Sequence, residues 1–457
     1  MRTSLSLVTA ALLIVFSTVT NPTASASLIF ERAGWQTSAG AVASDPTVRP
    51  FQGNRPATIS TTFEIDFQGN GRPDLIACHG TLTNLPDMKL PCRVLRPNPD
   101  GSVSEITRSM FGTGELPSMS APKEIVAADF NGDGLLDVFI AAHGYDAAPF
   151  LGETNVLLIS NPDGTYTDRS STLPQTPDFS HSACVGDINR DGRLDIYVNN
   201  IVIPRAYSYF LVGKGDGTFT QKTTGLPPTF TQSRTEGFTS CLFLDVDRDG
   251  YDDLILGTWS VNGFGDDIIL FNDRTGDFSK RPRYVLPRPL QAAILTIAAV
   301  DLNRDGRKDL VMLSETDNSF GSGLQALINQ GNSTFVDETV AYFGPSSVVS
   351  TGAHCGFLRV ADFNGDGWED FYCSDGPETV PNRYWMSNGD ATWSPLAENV
   401  LPPGSGLGIH AVDFDGDGRP DLLAINTTNA ADIRYQSYFN RTPFATLDLS
   451  RALFRRH

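Results

Sequence analysis

Seven nine-residue segments of this chain place acidic side chains at a spacing that can do chemistry. Each follows, or nearly follows, the pattern Asp-x-Asn/Asp-x-Asp-Gly-x-x-Asp: Asp66–Asp74, Asp129–Asp137, Asp187–Asp195, Asp245–Asp253, Asp301–Asp309, Asp362–Asp370 and Asp413–Asp421. Side-chain oxygens at positions 1, 3, 5 and 9, with a backbone carbonyl near position 7, can wrap one hard cation. The glycine at position 6 permits the sharp turn this needs. Calcium suits such a loop best, because it accepts about six to eight flexible oxygen ligands whereas magnesium keeps its water. The expected ligands are Asp66, Asn70 and Asp74; Asp129, Asn131, Asp133 and Asp137; Asp187, Asn189, Asp191 and Asp195; Asp245, Asp247, Asp249 and Asp253; Asp301, Asn303, Asp305 and Asp309; Asp362, Asn364, Asp366 and Asp370; and Asp413, Asp415, Asp417 and Asp421. Up to seven ions are expected. The first loop carries Gln68 and Asn70 and keeps only two carboxylates, so it is the weak or empty one. The fourth, which adds Asp252, is expected among the tightest. Crowded carboxylates repel, and a divalent ion relieves that repulsion while tying the turn, so the role expected is structural. Asp, Asn and Gly also form turns without metal, but seven copies in register favour the cation.

Something must hold seven such loops in register. Their first Asp recurs at steps of 63, 58, 58, 56, 61 and 51 residues, which is a repeat array. Each loop lies between two apolar runs, such as Ile125-Val126-Ala127-Ala128 before the second loop and Val138-Phe139-Ile140 after it. Short apolar runs bounded by Gly and Asp read as strands, and continuous apolarity predicts burial on both faces. The loop therefore closes a hairpin of two inner strands. A second hairpin follows, marked by turns such as Asp163-Gly164-Thr165-Tyr166 and Asp216-Gly217-Thr218-Phe219. About four strands per repeat is the content of one propeller blade. The predicted fold is all-β: a single seven-bladed β-propeller over residues 27–457, with four antiparallel strands per blade. A calcium solenoid repeats far more tightly than this. Two closures of the ring are compatible with the sequence: residues 28–40 adding a strand to the last blade, or residues 440–450 completing it.

These loops and their flanking strands resemble the FG-GAP/VCBS repeat family, whose blades form integrin α-subunit propellers and occur in many exported microbial proteins. The resemblance covers nearly all of residues 27–457. It implies calcium at one end of the inner hairpins and a ligand or partner surface on the opposite face. It does not fix a function, and the chain has no inserted adhesion domain.

On that opposite face the sequence gathers histidines. His79 and His143 follow the second strands of the first two repeats, His181 precedes the third loop and His354 the sixth; Arg234 and Glu236 precede the fourth inner strand, and His410 lies mid-strand. A long insert, 143–153, follows the second strand of the second repeat. Two readings compete. In the first, the face binds an extracellular glycan or protein ligand without chemistry. In the second, His143 or His181 acts as a base with Arg234 neutralising a carboxylate, as in propeller-shaped polysaccharide lyases. Solvated loop histidines are the plain alternative to both. No Ser/His/Asp motif, phosphate loop or His-x-x-x-His signature is present, and binding is the preferred expectation.

The compartment follows from the N-terminus and the cysteines. An apolar run, Leu5 to Val19, behind Arg2 and ahead of Ala24-Ser25-Ala26 reads as a secretory signal peptide over residues 1–26, so the protein is expected to be secreted, extracellular or periplasmic, and monomeric. Six cysteines in an exported chain point to disulfides. Cys184 and Cys241 sit at near-equivalent positions three and four residues before neighbouring loops. Cys355 and Cys373 flank one loop, and Cys78 and Cys92 bracket one short connection. Those three pairs are the expected bridges. Asn332, Asn426 and Asn440 begin glycosylation acceptors. A net charge of −19 excludes a nucleic-acid partner, since phosphate binding needs clustered Lys and Arg. Nearly half of the 53 acidic residues lie in the seven loops, so the acid excess is chiefly a metal requirement.

Overall fold

The structure is a computed structural model that describes residues 30–32, 36–37, 57–67, 72–81, 89–111, 117–145, 150–201, 207–231, 237–259, 265–287, 292–316, 322–345, 357–374, 383–395, 408–413, 415–429 and 432–440. The expected signal peptide, Gln68, Asn70, Arg234, Glu236, His354 and Cys355 lie outside the described residues.

Described residues form a β-propeller of four-stranded antiparallel blades, each built from strands in chain order, with Leu90–Pro91 skipped in the first blade to pair with Ser118–Met119. The second blade shows why. Pro122–Ala128 runs into the acidic loop and Asp137–Ala142 runs out of it, pairing Val138 with Ala127 and Ile140 with Ile125. Every residue of Asp137–Ala142 is buried, because a neighbouring blade covers each face of the sheet. Val156–Ser160 and Tyr166–Asp168 add the outer hairpin. Its turn is tightened by Asp163, whose Oδ1 accepts both the Thr165 amide (3.0 Å) and the Thr165 hydroxyl (2.6 Å).

The apolar cores lie between adjacent blades. Ile76 and Val94 of the first blade pack with Val138 and Ile140 of the second. Phe139 and Leu157 face Ile196 and Leu211 of the third. The pattern continues to Val311 and Leu313 of the fifth blade against Phe371 and Trp385 of the sixth. Two bridges expected from the sequence form: Cys78–Cys92 within the first blade, and Cys184–Cys241 between the first strands of the third and fourth. Cys373 is also disulfide-bonded; its expected partner, Cys355, falls outside the described residues.

The blade count needs a correction. Six blades have four strands, where the sequence predicts seven. The seventh repeat instead contributes Gly408–Val412, Asp421–Asn429 and Asp432–Asn440 to a five-stranded sheet. There Phe30–Arg32 and Gln36–Thr37, from the other end of the chain, pair antiparallel with Asp432–Asn440. The physical reason is the edge of the third strand. It needs a partner for its unpaired backbone groups, and the N-terminal segment supplies one. This is the first of the two closures the sequence allows. The first strands touch in order around the axis, and Gly408–Val412 touches Ala57–Ile65 of the first blade. Glu64 Oε1 accepts the Ala411 amide across that junction at 3.1 Å. Among the described residues no helix is long and apolar enough to cross a membrane.

Of the glycosylation acceptors, Asn440 is fully buried, with Nδ2 donating to the carbonyls of Phe363 (2.7 Å) and Pro420 (3.1 Å). It is structural and closed to modification in the folded chain.

Candidate functional site

Six of the seven acidic loops share one wiring. The aspartate at position 1 turns back on its own loop and accepts amides from later residues. Asp129 takes those of Gly132 (2.6 Å), Asp133 (3.1 Å) and Gly134 (2.8 Å). Asp187, Asp245, Asp301, Asp362 and Asp413 repeat this with the amides at positions 5 and 6. Position 3 accepts the amide of position 5, as in Asn131 to Asp133 (2.9 Å), and position 5 accepts that of position 7, as in Asp133 to Leu135 (2.9 Å). Backbone donors thus aim these oxygens inward. Carboxylate oxygens of Asp245, Asp247 and Asp253 lie within 4.8 Å of one another, as do those of Asp413, Asp415 and Asp421. Two oxygens on opposite sides of a calcium ion are at most about 5 Å apart, so these donor sets fit calcium.

Position 9 has a second role that the local pattern does not announce. Asp137 is fully buried; its Oδ2 accepts the Phe130 amide (2.9 Å), while Oδ1 accepts the amide (2.8 Å) and hydroxyl (2.8 Å) of Ser160 on the third strand. Asp195, Asp253, Asp309 and Asp370 make the same double connection, and Asp421 accepts the Asn440 amide at 2.6 Å. Each of these aspartates straps the loop to the outer half of its sheet. Burial pushes Asp370 up to about 8, Asp253 to about 7, and Asp195 and Asp309 to about 6. The first loop breaks the pattern. Both oxygens of Asp74 bind Arg96, at 2.8 Å to Nε and 2.7 Å to Nη2. A guanidinium already neutralises that carboxylate.

Position 4 links successive loops. It adopts positive φ in the six wired loops, with glycine at 132, 365 and 416 but arginine at 190 (56°), 248 (59°) and 304 (55°). These arginines reach the following loop: Arg190 lies over the Tyr251 ring (5.2 Å), Arg248 donates to the Gly306 carbonyl (2.7 Å), and Arg304 donates to the Gly367 carbonyl and lies over the Trp368 ring (3.5 Å). Left-handed backbone costs a non-glycine residue about 1 kcal/mol, and these contacts offset it. Arg304→Ala keeps the strained backbone and loses the contacts, and is expected to lower stability by about 2 kcal/mol. Arg304→Gly relaxes the backbone and should cost about 1 kcal/mol less. Denaturant melts of the two variants check this ordering.

The opposite face assembles differently from the sequence expectation. His143 and His181 do come together, with rings 5.5 Å apart. His143 is buried, packs on Phe179 and places Nδ1 3.3 Å from the Gly144 carbonyl oxygen. His181 Nδ1 faces the Thr239 carbonyl oxygen at 3.3 Å. Burial, then the neighbouring Lys123, holds His143 far below its ordinary value and His181 down at about 3. Both imidazoles are neutral at pH 7. His79 and His410 lie in the strands Asp74–Thr81 and Gly408–Val412. The sequence reading overlooked the aromatic residues beside the pair. Trp259, just past the fourth blade's second strand, lies 6.2 Å from His181, and Phe150 of the insert lies 5.9 Å from Phe179. Trp259, Phe150 and Leu151 are exposed. A row running Trp259, His181, His143, Phe179, Phe150 therefore crosses blades two to four. Only an aromatic residue directly following a strand marks Trp259 in the sequence.

The FG-GAP-like repeat matches residues 66–140, 129–198, 245–312, 301–373 and 362–424. The chain belongs to the FG-GAP-like repeat family. Each of the five matches runs from one acidic loop through the next and so takes in both loops and the strands between them. No curated protein matches the chain. Its FG-GAP-like propeller suits a binding module, and the disulfides fit an extracellular location.

Proposed function

We propose that this FG-GAP-like protein is an exported, calcium-stabilised binding module that takes an extracellular glycan on the face opposite its acidic loops, and works as a monomer. The five-stranded closing sheet pairs Phe30–Arg32 with Asp432–Asn440 and so ties the first and last described strands together. Calcium is assigned to the wired loops other than the fourth, where Arg274 and Arg281 already meet Asp249 and Asp247, because loop amides turn their oxygens inward and those of Asp413, Asp415 and Asp421 lie close enough to share one ion. The observation that carries the binding role is the row from Trp259 to Phe150. Exposed aromatic faces stack on sugar rings, and the neutral His181 beside them, whose Nδ1 faces the Thr239 carbonyl, keeps Nε2 as an acceptor for a hydroxyl group. A protein ligand on the same face is the second occupant the row would suit.

The lyase alternative requires an imidazole that takes a proton near neutrality. Burial holds both far below that range, which favours binding over catalysis. Retention on an array of extracellular polysaccharides tests the proposal. The unmodified protein should be retained, and Trp259→Ala with Phe150→Ala should lose about tenfold or more in affinity, since stacking contacts are worth about 1 kcal/mol each. Retention unchanged in the double variant would overturn the assignment of this face. Release of unsaturated uronic acid products, followed by ultraviolet absorbance and lost in His181→Ala, would instead support the lyase.

A further inference from the structure

The fourth loop has the most carboxylates, and it also has two cations of its own. Arg281 Nη2 contacts Asp247 Oδ2 at 2.6 Å and its Nη1 lies 3.7 Å from Asp249 Oδ2. Arg274 Nε donates to Asp249 Oδ2 at 3.0 Å. Neither arginine belongs to the loop; both come from the blade's outer turn, which closes over it. That turn is anchored. Asn272 Nδ2 donates to the carbonyls of Ile188 in the third loop (2.8 Å) and Asp252 in the fourth (3.1 Å), and Asn272 Oδ1 accepts the Arg274 amide (3.0 Å). Arg274 is held at a φ of 72°. The Arg281 guanidinium lies over the Phe271 ring at 4.6 Å and donates to the Asn272 carbonyl at 3.1 Å. The two cations are therefore presented by packed scaffold. In the third and fifth loops the arrangement is different: Arg193 and Arg307, from position 7 of the loop itself, meet Asp191 and Asp305 at position 5, and position 3 is a neutral asparagine.

We propose that the fourth loop is neutralised by Arg274 and Arg281 in place of calcium, so that it closes its hairpin without metal while the other wired loops require it. Two guanidinium groups carry the same charge as one calcium ion. They occupy the carboxylates at positions 3 and 5, which a calcium ion would need, and an entering ion would meet their repulsion at short range. The carboxylate oxygens of Asp245, Asp247 and Asp253 still lie within 4.8 Å of one another, so the loop becomes a metal site when the arginines are removed. This ordering is the reverse of the one that counting carboxylates gives. It rests on the calcium reading only for the contrast with the other loops.

Calcium bound per chain, counted by elemental analysis after equilibrium dialysis of the full-length protein against calcium chloride, tests it. Asp247→Asn with Asp249→Asn should leave the count of the unmodified protein unchanged. Arg274→Gln with Arg281→Gln should raise it by one, and adding the two Asn substitutions should cancel that gain. Loss of one ion in the Asn variant, or no gain in the Gln variant, overturns the proposal. Arg281→Gln alone is the milder form should the double variant fold poorly, and it should still raise the count. The control is Asp129→Asn with Asp133→Asn, which should lose one ion. If the unmodified protein binds none and this control changes nothing, the calcium reading fails, yet a gain of one ion in the Gln variant still supports the role of the arginines and no gain still overturns it.

Discussion

Stripping calcium from the purified protein should lower its melting temperature by about 15 °C or more. At free calcium roughly a hundredfold above its dissociation constant, each site adds about 2.7 kcal/mol to the folded state. Loops two, three, five, six and seven, loading independently, would together add about 13 kcal/mol, which is comparable with the whole margin of a typical domain, about 5–15 kcal/mol. A chain of this size gains on the order of 1–2 °C per kcal/mol. The structural reason is charge. Each wired loop gathers at least three aspartates, and at position 9 Asp137, Asp195, Asp309 and Asp370 are fully buried against backbone amides. Calorimetry in calcium and in excess chelator reads the difference directly, and superimposable melts would remove calcium from the account of this fold.

The calcium-free form should also respond to pH in an unusual direction. Burial raises Asp195 and Asp309 to about 6, Asp253 to about 7 and Asp370 to about 8, against about 3.9 for an aspartate in the unfolded chain. Between pH 4 and 8 the folded state therefore binds more protons than the unfolded state. Stability in chelator falls as pH rises through that window and is recovered on acidification toward pH 5. With calcium bound, the ion takes the place of the protons on Asp195, Asp309 and Asp370, and the dependence should weaken at neutral pH, leaving the part due to Asp253, and strengthen again near pH 5 as protons displace the metal.

What the sequence made legible was what the backbone requires locally. A turn with glycine at position 6 and oxygen side chains at 1, 3 and 5 is wired within nine residues, so Asp129 to Gly134 could be read off the chain. The apolar runs around it specify strands covered on both faces, and the recurrence of the loop gives the propeller. What depended on residues far apart in the chain was not legible. Asp137 meets Ser160, and Asp309 meets Asn329, across a connection of about twenty residues, and nothing in the nine-residue pattern separates a metal ligand from a strap. Arg281 is thirty-four positions from Asp247, which is why the loop with most carboxylates reads as the tightest site until its outer turn is in place. The closing sheet is the extreme case, since Phe30 pairs with Asn440. On the opposite face, spacing placed His143 and His181 together correctly, but their burial against Phe179 and beside Trp259 is a property of three blades at once.

Replacing the aspartate at position 9 should destabilise the protein even where no metal is present. Asp309 is fully buried and satisfies the amides of Leu302 (2.9 Å) and Asn329 (2.8 Å). Asp309→Ala leaves both donors buried without acceptors, at about 1–3 kcal/mol each, so a loss of about 4 kcal/mol is expected. Asp305→Asn provides the contrast, because Asp305 belongs to the same loop but its Oδ1 accepts the nearby Arg307 amide and its Oδ2 meets the partly exposed Arg307 guanidinium, a pair worth little at the surface. In calcium both variants should lose stability, since each removes an oxygen from the same donor set. In chelator the two should part: Asp305→Asn becomes nearly neutral or slightly stabilising, as one carboxylate fewer repels its neighbours, while Asp309→Ala keeps its full cost. Denaturant melts of both variants in both buffers give the four values needed. Equal behaviour of the two in chelator would mean that position 9 serves the metal alone, and that the hydrogen bonds to the third strand contribute little to holding the blade together.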